Sequence, residues 1–426
     1  GRRSDMESWL YDEDKWPSGF AGGYVTMKNE DLRSKGIEAR EVTAEEAEHV
    51  KKSRNLLAMF SLHFDKDGLD QMTQIHPKGE EPIEGGKLFA FNLVIATGSN
   101  WYNGESYVDL LDPSATEAFL KQTHDAYAKR FRDDFGQFMP GIFTDEPNYA
   151  GVGQIPWTTE FDDYFEDKNG YSILKKLPLL YFKGHGHNKV RHDFWKTIAR
   201  RFIEAFTIPL FERCEEYGLK LTGHYLSEDT LYGQIRVIGA AMPHYEYMHV
   251  PGIDHLGRNI SNPLTLKQVS SAAHQFGRER IMCEIFGVSG HSMTFEDQKW
   301  IADFHFALGI TFLVPHLTLY SMTGERKRDY PPTFSYHQPY WKYQGLINDY
   351  FARCSYMMSQ GKFVADILLL HPIASAWACF AASLQGEDAT RKNAEVMRYN
   401  SELTYLLESL LEGHRDFDFG DEFIME

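Results

Sequence analysis

Gly141-Ile142-Phe143-Thr144-Asp145-Glu146-Pro147 is the stretch on which the fold turns. An apolar run breaks off in two adjacent carboxylates, and the proline behind them stops the strand and stiffens the loop. Upstream, residues 115–134 carry Ala115, Phe119, Ala126, Tyr127 and Phe131 at helical spacing, so a helix leads into this strand. Downstream, 191–217 reads as a long helix with Phe194, Trp195, Ile198, Phe202, Ile203 and Phe206 on one face, and Pro209 is expected to kink or divide it. Strands follow at 219–225, 243–250 and 280–286. Thr294-Phe295-Glu296-Asp297 fits a capping box opening a helix to about Leu308, ahead of a strand at 310–315. Runs at 6–11 and 107–110 complete the set.

Strands alternating with amphipathic helices predict α/β architecture with parallel strands. Seven strands stand in this register, and a closed barrel needs eight. The expectation is therefore a (β/α)8 TIM-type barrel lacking its first strand and helix, since residues 1–5 read as the last turn of a helix feeding a strand. An insertion that supplies the closing strand is the competing account. Residues 36–106, with apolar runs at 56–64 and 88–96, read as a β-rich insertion into a catalytic barrel spanning 1–360. The pattern restarts afterwards, with a strand at 364–370, a helix at 389–412 and a run at 417–423. Residues 361–426 thus read as the start of a truncated C-terminal α/β domain.

The 426 residues hold 44 Lys+Arg against 61 Asp+Glu, a net charge of −17, which argues against nucleic-acid partners and anionic membranes. No apolar run approaches the ~20 residues of a membrane span. The first twenty residues lack the apolar core of a signal peptide, and the compartment and oligomeric state stay open. Cys214, Cys283, Cys354 and Cys379 form no metal or disulfide framework and read as free thiols. No phosphate-cradling glycine loop and no G-x-S-x-G elbow occurs, so nucleotide and acyl-transfer chemistry lack support.

Barrel enzymes carry their reacting groups at the C-terminal ends of strands. Acids fall there repeatedly: Asp12/Glu13, Asp145/Glu146, Glu228/Asp229, Asp254 and Glu284. One acid behind a strand is ordinarily a helix cap, but several on one rim raise one another's pKa and set acid and base forms side by side. Glu146 leads, and Glu284, desolvated by Ile281, Met282, Cys283, Ile285 and Phe286, is second. They follow strands four and seven, counting the absent first, and so face each other across the mouth. Opposed carboxylates are what glycoside hydrolysis demands. Asp12, Glu13, Trp16, Asp145, His224, Glu228 and Asp254 are candidate substrate-binding residues, with Glu228 the fallback member of the pair. Trp16, Trp101, Tyr102 and Trp341 could stack on a pyranose face or merely pack. The segment 243–255 is rich in His and acids but lacks a fixed-spacing metal signature, so no metal ligands are assigned from the residues.

Leu10-Tyr11-Asp12-Glu13-Asp14-Lys15-Trp16-Pro17-Ser18-Gly19 with Ala21-Gly22-Gly23, then Phe143-Thr144-Asp145-Glu146-Pro147, Glu284-Ile285-Phe286-Gly287, Thr294-Phe295-Glu296-Asp297-Gln298-Lys299-Trp300 and Lys327-Arg328-Asp329-Tyr330-Pro331-Pro332 run collinearly over about 6–345. Together they resemble the bacterial glycoside hydrolases grouped around the family 106 α-L-rhamnosidases. The resemblance implies a (β/α)8 barrel, the acid at Glu146, the second carboxylate at Glu284, inversion of configuration and an active-site Ca2+. The expected function is an exo-acting glycoside hydrolase that removes a terminal sugar, α-L-rhamnose by the resemblance, from a glycan or oligosaccharide. The rivals are a retaining clan A-type β-glycosidase and a catalytically silent carbohydrate-binding barrel.

Overall fold

The computed structural model describes every residue except Gly1, Ser261 and Asp329, so the opening Gly1 of the 1–5 stretch and the Asp329 inside the 327–332 string lie outside the described residues. Leu10–Tyr11, Gly141–Asp145 and Lys220–His224 form one parallel sheet, and Gly252–His255, Met282–Ile285 and Phe312–Pro315 form another. A single parallel bridge, Thr222 to Val250, joins them, and the Thr222 hydroxyl donates to the Val250 carbonyl at 2.8 Å. The six strands thus make one curved arc in chain order. Its outer strands approach at their N-terminal ends, where the Trp9 and Phe312 rings lie 5.9 Å apart. This is a half-barrel within a mixed α/β chain.

The strands are short apolar runs, several ending in polar residues such as Asp145, His224 and His255, and Ile142, Leu221, Ile253 and Ile285 are buried among the helices that cover them. Each such side chain contributes about 1.5–3 kcal/mol by leaving water. Thr294 caps the Phe295–Ala307 helix as expected, with Thr294 and Asp297 bonding each other's backbone N–H.

Four expectations are corrected. Residues 107–110 form no arc strand: Val108 makes one antiparallel bridge to Arg33, and Leu10–Tyr11 pairs directly with Gly141–Asp145. The arc therefore has six strands among the described residues, not seven. Residues 243–250 are not a strand either. Pro243 opens the short Met242–Tyr245 helix, where its missing N–H does no harm, and the strand comes later at Gly252–His255. The helix at 115–134 is two, Pro113–Gln122 and His124–Phe131, broken at Thr123. The 191–217 helix runs unbroken past Pro209, because a π-helical turn at Ile203–Thr207 puts the proline in the first turn of Ile208–Tyr217.

Within 36–106, Lys35–Val42, Leu56–Asp65, Gly68–His76 and Lys87–Ile95 form an antiparallel sheet, completed by Ile155–Trp157 from beyond the stretch. At the far end Leu368–Leu370 pairs in parallel with Asp418–Gly420. These residues lean on the arc's helices: the buried Trp377 indole donates to the Gly239 carbonyl at 2.9 Å, and Lys267 pairs with Asp416 at 2.8 Å. No helix among the described residues is long and apolar enough to cross a membrane.

Candidate active site

The C-terminal ends of the arc strands converge on His224. It ends its strand beside Gly223, which has φ +132° and would place a Cβ 1.9 Å from the Thr144 carbonyl oxygen. Only glycine lets the two strands close at this point. Asp145 stands opposite His224 in register, as Asp254 does opposite Glu284. The buried imidazole meets three carboxylates: Nε2 lies 3.0 Å from Glu284 and 3.5 Å from Asp145, and Nδ1 lies 3.9 Å from Glu146. His316, directly behind the last strand, approaches the other oxygen of Glu284 at 3.9 Å. Glu146 and Glu284 thus meet opposite nitrogens of one imidazole, Nδ1 and Nε2.

Glu146 adopts a left-handed φ of 49°, and its backbone N–H donates to the His224 carbonyl at 3.1 Å. Ser227, Phe286 and Val288, in the loops behind neighbouring strands, also have positive φ. Such conformations cost of order 1–3 kcal/mol each and gather where side chains must be aimed.

The two acids are driven apart electrostatically. Burial, aided by the Asp145 charge, lifts the Glu146 carboxyl to about 7 against the pull of His224 and the Trp16 indole N–H, which donates to it. Burial opposes ionisation of Glu284 too, but the hydrogen bond and charge of His224, with His316, bring it below the ordinary glutamate value. His224 is buried, which disfavours its charge, yet Glu284, Asp254 and Asp145 hold it well above the ordinary histidine value. A protonated carboxyl and an ionised one therefore flank a charged imidazole. Burial also raises Asp145 and Asp254, and Asp254 Oδ1 has no hydrogen-bond partner.

Of the expected site residues, Trp16, Asp145, Glu146, His224, Asp254 and Glu284 come together. Asp12, Glu13 and Glu228 turn inward instead. Asp12 is buried and accepts from the Ser18 hydroxyl at 2.5 Å. Glu13 accepts from the backbone N–H groups of Asp14, Gly19, Ala21 and Gly22, which folds the 13–22 loop around its carboxylate. Glu228 accepts from the Tyr225 N–H and the Tyr245 hydroxyl. Sequence reasoning missed Tyr11, whose hydroxyl donates to Asp145 at 2.5 Å, and also His316 and Tyr330, whose rings meet edge-on. Position was the available signal, since Tyr11 and His316 lie at or just past strand ends.

Carboxylates with split proton affinities thus gather at the strand ends of a parallel half-barrel. The α-L-rhamnosidase family, glycoside hydrolase family 106, matches residues 103–380, and the chain belongs to it. It is 29% identical over 238 residues to a Formosa agariphila protein described provisionally as a beta-glucuronidase, a match covering 51% of this chain and 19% of that protein. In fold it is similar to a rhamnosidase from Novosphingobium sp. PP1Y, with a TM-score of 0.58 and 16% identity over 84% of this chain and 34% of the rhamnosidase. The chain thus spans about a fifth and a third of these relatives.

Proposed function

We propose that this chain carries the catalytic centre of an exo-acting glycoside hydrolase that removes a terminal neutral sugar, α-L-rhamnose, with inversion of configuration. The observation that carries the reading is the opposite displacement of the Glu146 and Glu284 carboxyls around His224. Glu146, held protonated to about pH 7, gives its proton to the glycosidic oxygen as the bond to the anomeric carbon breaks. Glu284, held ionised by His224, takes a proton from the water that attacks the opposite face. Asp145, fixed by the Tyr11 hydroxyl, keeps the Glu146 proton in place through its charge.

A neutral sugar is favoured over a uronic acid by the charges present. Among the described residues the basic side chains facing Asp145, Glu146 and Glu284 are the imidazoles of His224 and His316, and no lysine or arginine pairs with these acids or with Asp254. A uronate would bring a further carboxylate into this set with nothing to receive it.

Family membership also implies calcium. Glu146, Asp254 and His224 offer donor atoms within 4.8 Å of one another, as do Asp145, Glu284 and His224. Carboxylate oxygens suit calcium and imidazole does not, so Asp254, with its partnerless Oδ1, would hold the ion, while Glu146 keeps its proton. Bound there, calcium supplies a fixed positive charge that orients sugar hydroxyls.

The proposal includes completion of the arc as an eight-stranded (β/α)8 ring. It also includes the division into a catalytic unit at 1–360, with its 36–106 insertion, and an α/β unit at 361–426. Six parallel strands each followed by helix, and the renewed parallel pairing at Leu368–Leu370, support it. The test is hydrolysis of 4-nitrophenyl α-L-rhamnoside beside 4-nitrophenyl β-D-glucuronide. The rhamnoside should turn over with β-rhamnose as first product by NMR, whereas turnover of the glucuronide alone would overturn the reading.

A further inference from the structure

Resting on the hydrolase reading, we propose that Trp16 and Trp101 form the leaving-group subsite, which receives the ring of an aryl aglycone or the next sugar by stacking. A general acid must stand against the bond to the leaving group, so the side of Glu146 away from Glu284 belongs to the departing half of the substrate. The two oxygens of Glu146 face different groups: Oε1 lies 3.9 Å from His224, and Oε2 accepts from the Trp16 indole N–H. Trp101 meets Trp16 edge-on, with ring centroids 5.9 Å apart and planes at 78°. Trp16 is 37% exposed and Trp101 50%, although tryptophan is ordinarily among the more buried residues. Two indoles at right angles offer a corner: a ring laid on one presents its edge to the other.

The corner is built from behind. Glu13 gathers the loop carrying Trp16 through four backbone N–H groups. Phe20 from that loop packs edge-on against Tyr102, next to Trp101, at 5.2 Å, and Tyr102 stacks at 5.5 Å on the buried Tyr107. The Asn103 amide donates to the Gly22 carbonyl at 3.0 Å, tying the two loops together. Lys15, its ammonium 5.4 Å from the Trp101 centroid, adds a donor for hydroxyls at the same corner. Near Glu284 stands His316 instead, with Tyr330 edge-on against it.

The experiment compares kcat/KM on 4-nitrophenyl α-L-rhamnoside, whose leaving group has a ring, with that on β-L-rhamnosyl fluoride's α-anomer, α-L-rhamnosyl fluoride, whose leaving group has none. In Trp101→Ala the ratio of aryl to fluoride activity should fall about tenfold, carried by KM, the loss expected for a ring–ring contact. Trp101→Phe should restore most of the ratio, which a merely structural role would not require. An unchanged ratio in Trp101→Ala overturns the subsite while leaving the hydrolase reading intact. Failure of the unaltered chain to turn over either rhamnoside overturns the hydrolase reading, and the subsite with it.

Discussion

The most quantitative consequence concerns the proton on Glu146. A carboxyl at the ordinary 4.5 is protonated in about one molecule in 300 at pH 7, whereas one at about 7 is protonated in half. The environment therefore gains roughly 150-fold in active acid, equivalent to about 3 kcal/mol against the charged form. In kcat/KM on an unactivated rhamnoside this predicts a loss of about tenfold per pH unit above 7. Two substitutions should move that limb in opposite directions. The Trp16 indole N–H stabilises the carboxylate, so Trp16→Phe should shift the limb upward by about one pH unit. The Asp145 charge disfavours the carboxylate, so Asp145→Asn should shift it downward. The assay is a pH–rate profile for each variant, with thermal melts to confirm folding. A limb unmoved by both substitutions, or one that persists in Glu146→Gln, would refute the assignment.

Other consequences lie away from the acid itself. Burial lifts Glu228 from 4.5 to about 7 in the folded chain, which binds its proton more tightly than the unfolded one; stability should fall by about 3 kcal/mol as pH rises from about 4.5 to 7, and Glu228→Gln should remove that share of the slope in urea melts at pH 5 and 7.5. An unaltered slope would show that Glu228 titrates normally. Gly223→Ala must fit a Cβ 1.9 Å from the Thr144 carbonyl at φ +132°, so a loss of more than about 3 kcal/mol is expected, and a native melting temperature would contradict the packing. Calorimetric titration of chelator-treated chain with calcium should show binding that Asp254→Asn weakens; equal binding in both would move the ion elsewhere.

The parts legible in the sequence were those where one segment decides its own structure. The apolar run ending in Asp145-Glu146-Pro147 and the Thr294–Asp297 cap both formed as read. Residues 243–250 misled because His244, Tyr245, Glu246, Tyr247 and Met248 alternate like a strand, while a proline in the first turn and burial of Tyr245 and Met248 favour a helix. Residues 107–110 misled because burial in a loop, fixed by a bridge to Arg33, leaves the same apolar signature as a strand. The acids behind strands were visible, but their direction was not: Glu13 and Glu228 look like Glu146 until the N–H groups that claim them are in place. His316 and Tyr330 carry no periodic signal, and the place of His316 beside Glu284, with Tyr330 against it, depends on the long loop behind the last strand.

The central claim, that Glu146 protonates the departing oxygen while Glu284 activates water, meets its most direct test in a leaving-group series. Aryl α-L-rhamnosides of graded phenol acidity should give a shallow dependence of kcat/KM in the unaltered chain and a steep one in Glu146→Gln, which no longer helps poor leaving groups, while Glu284→Gln stays slow on all of them. Parallel lines for the unaltered chain and Glu146→Gln would contradict the account.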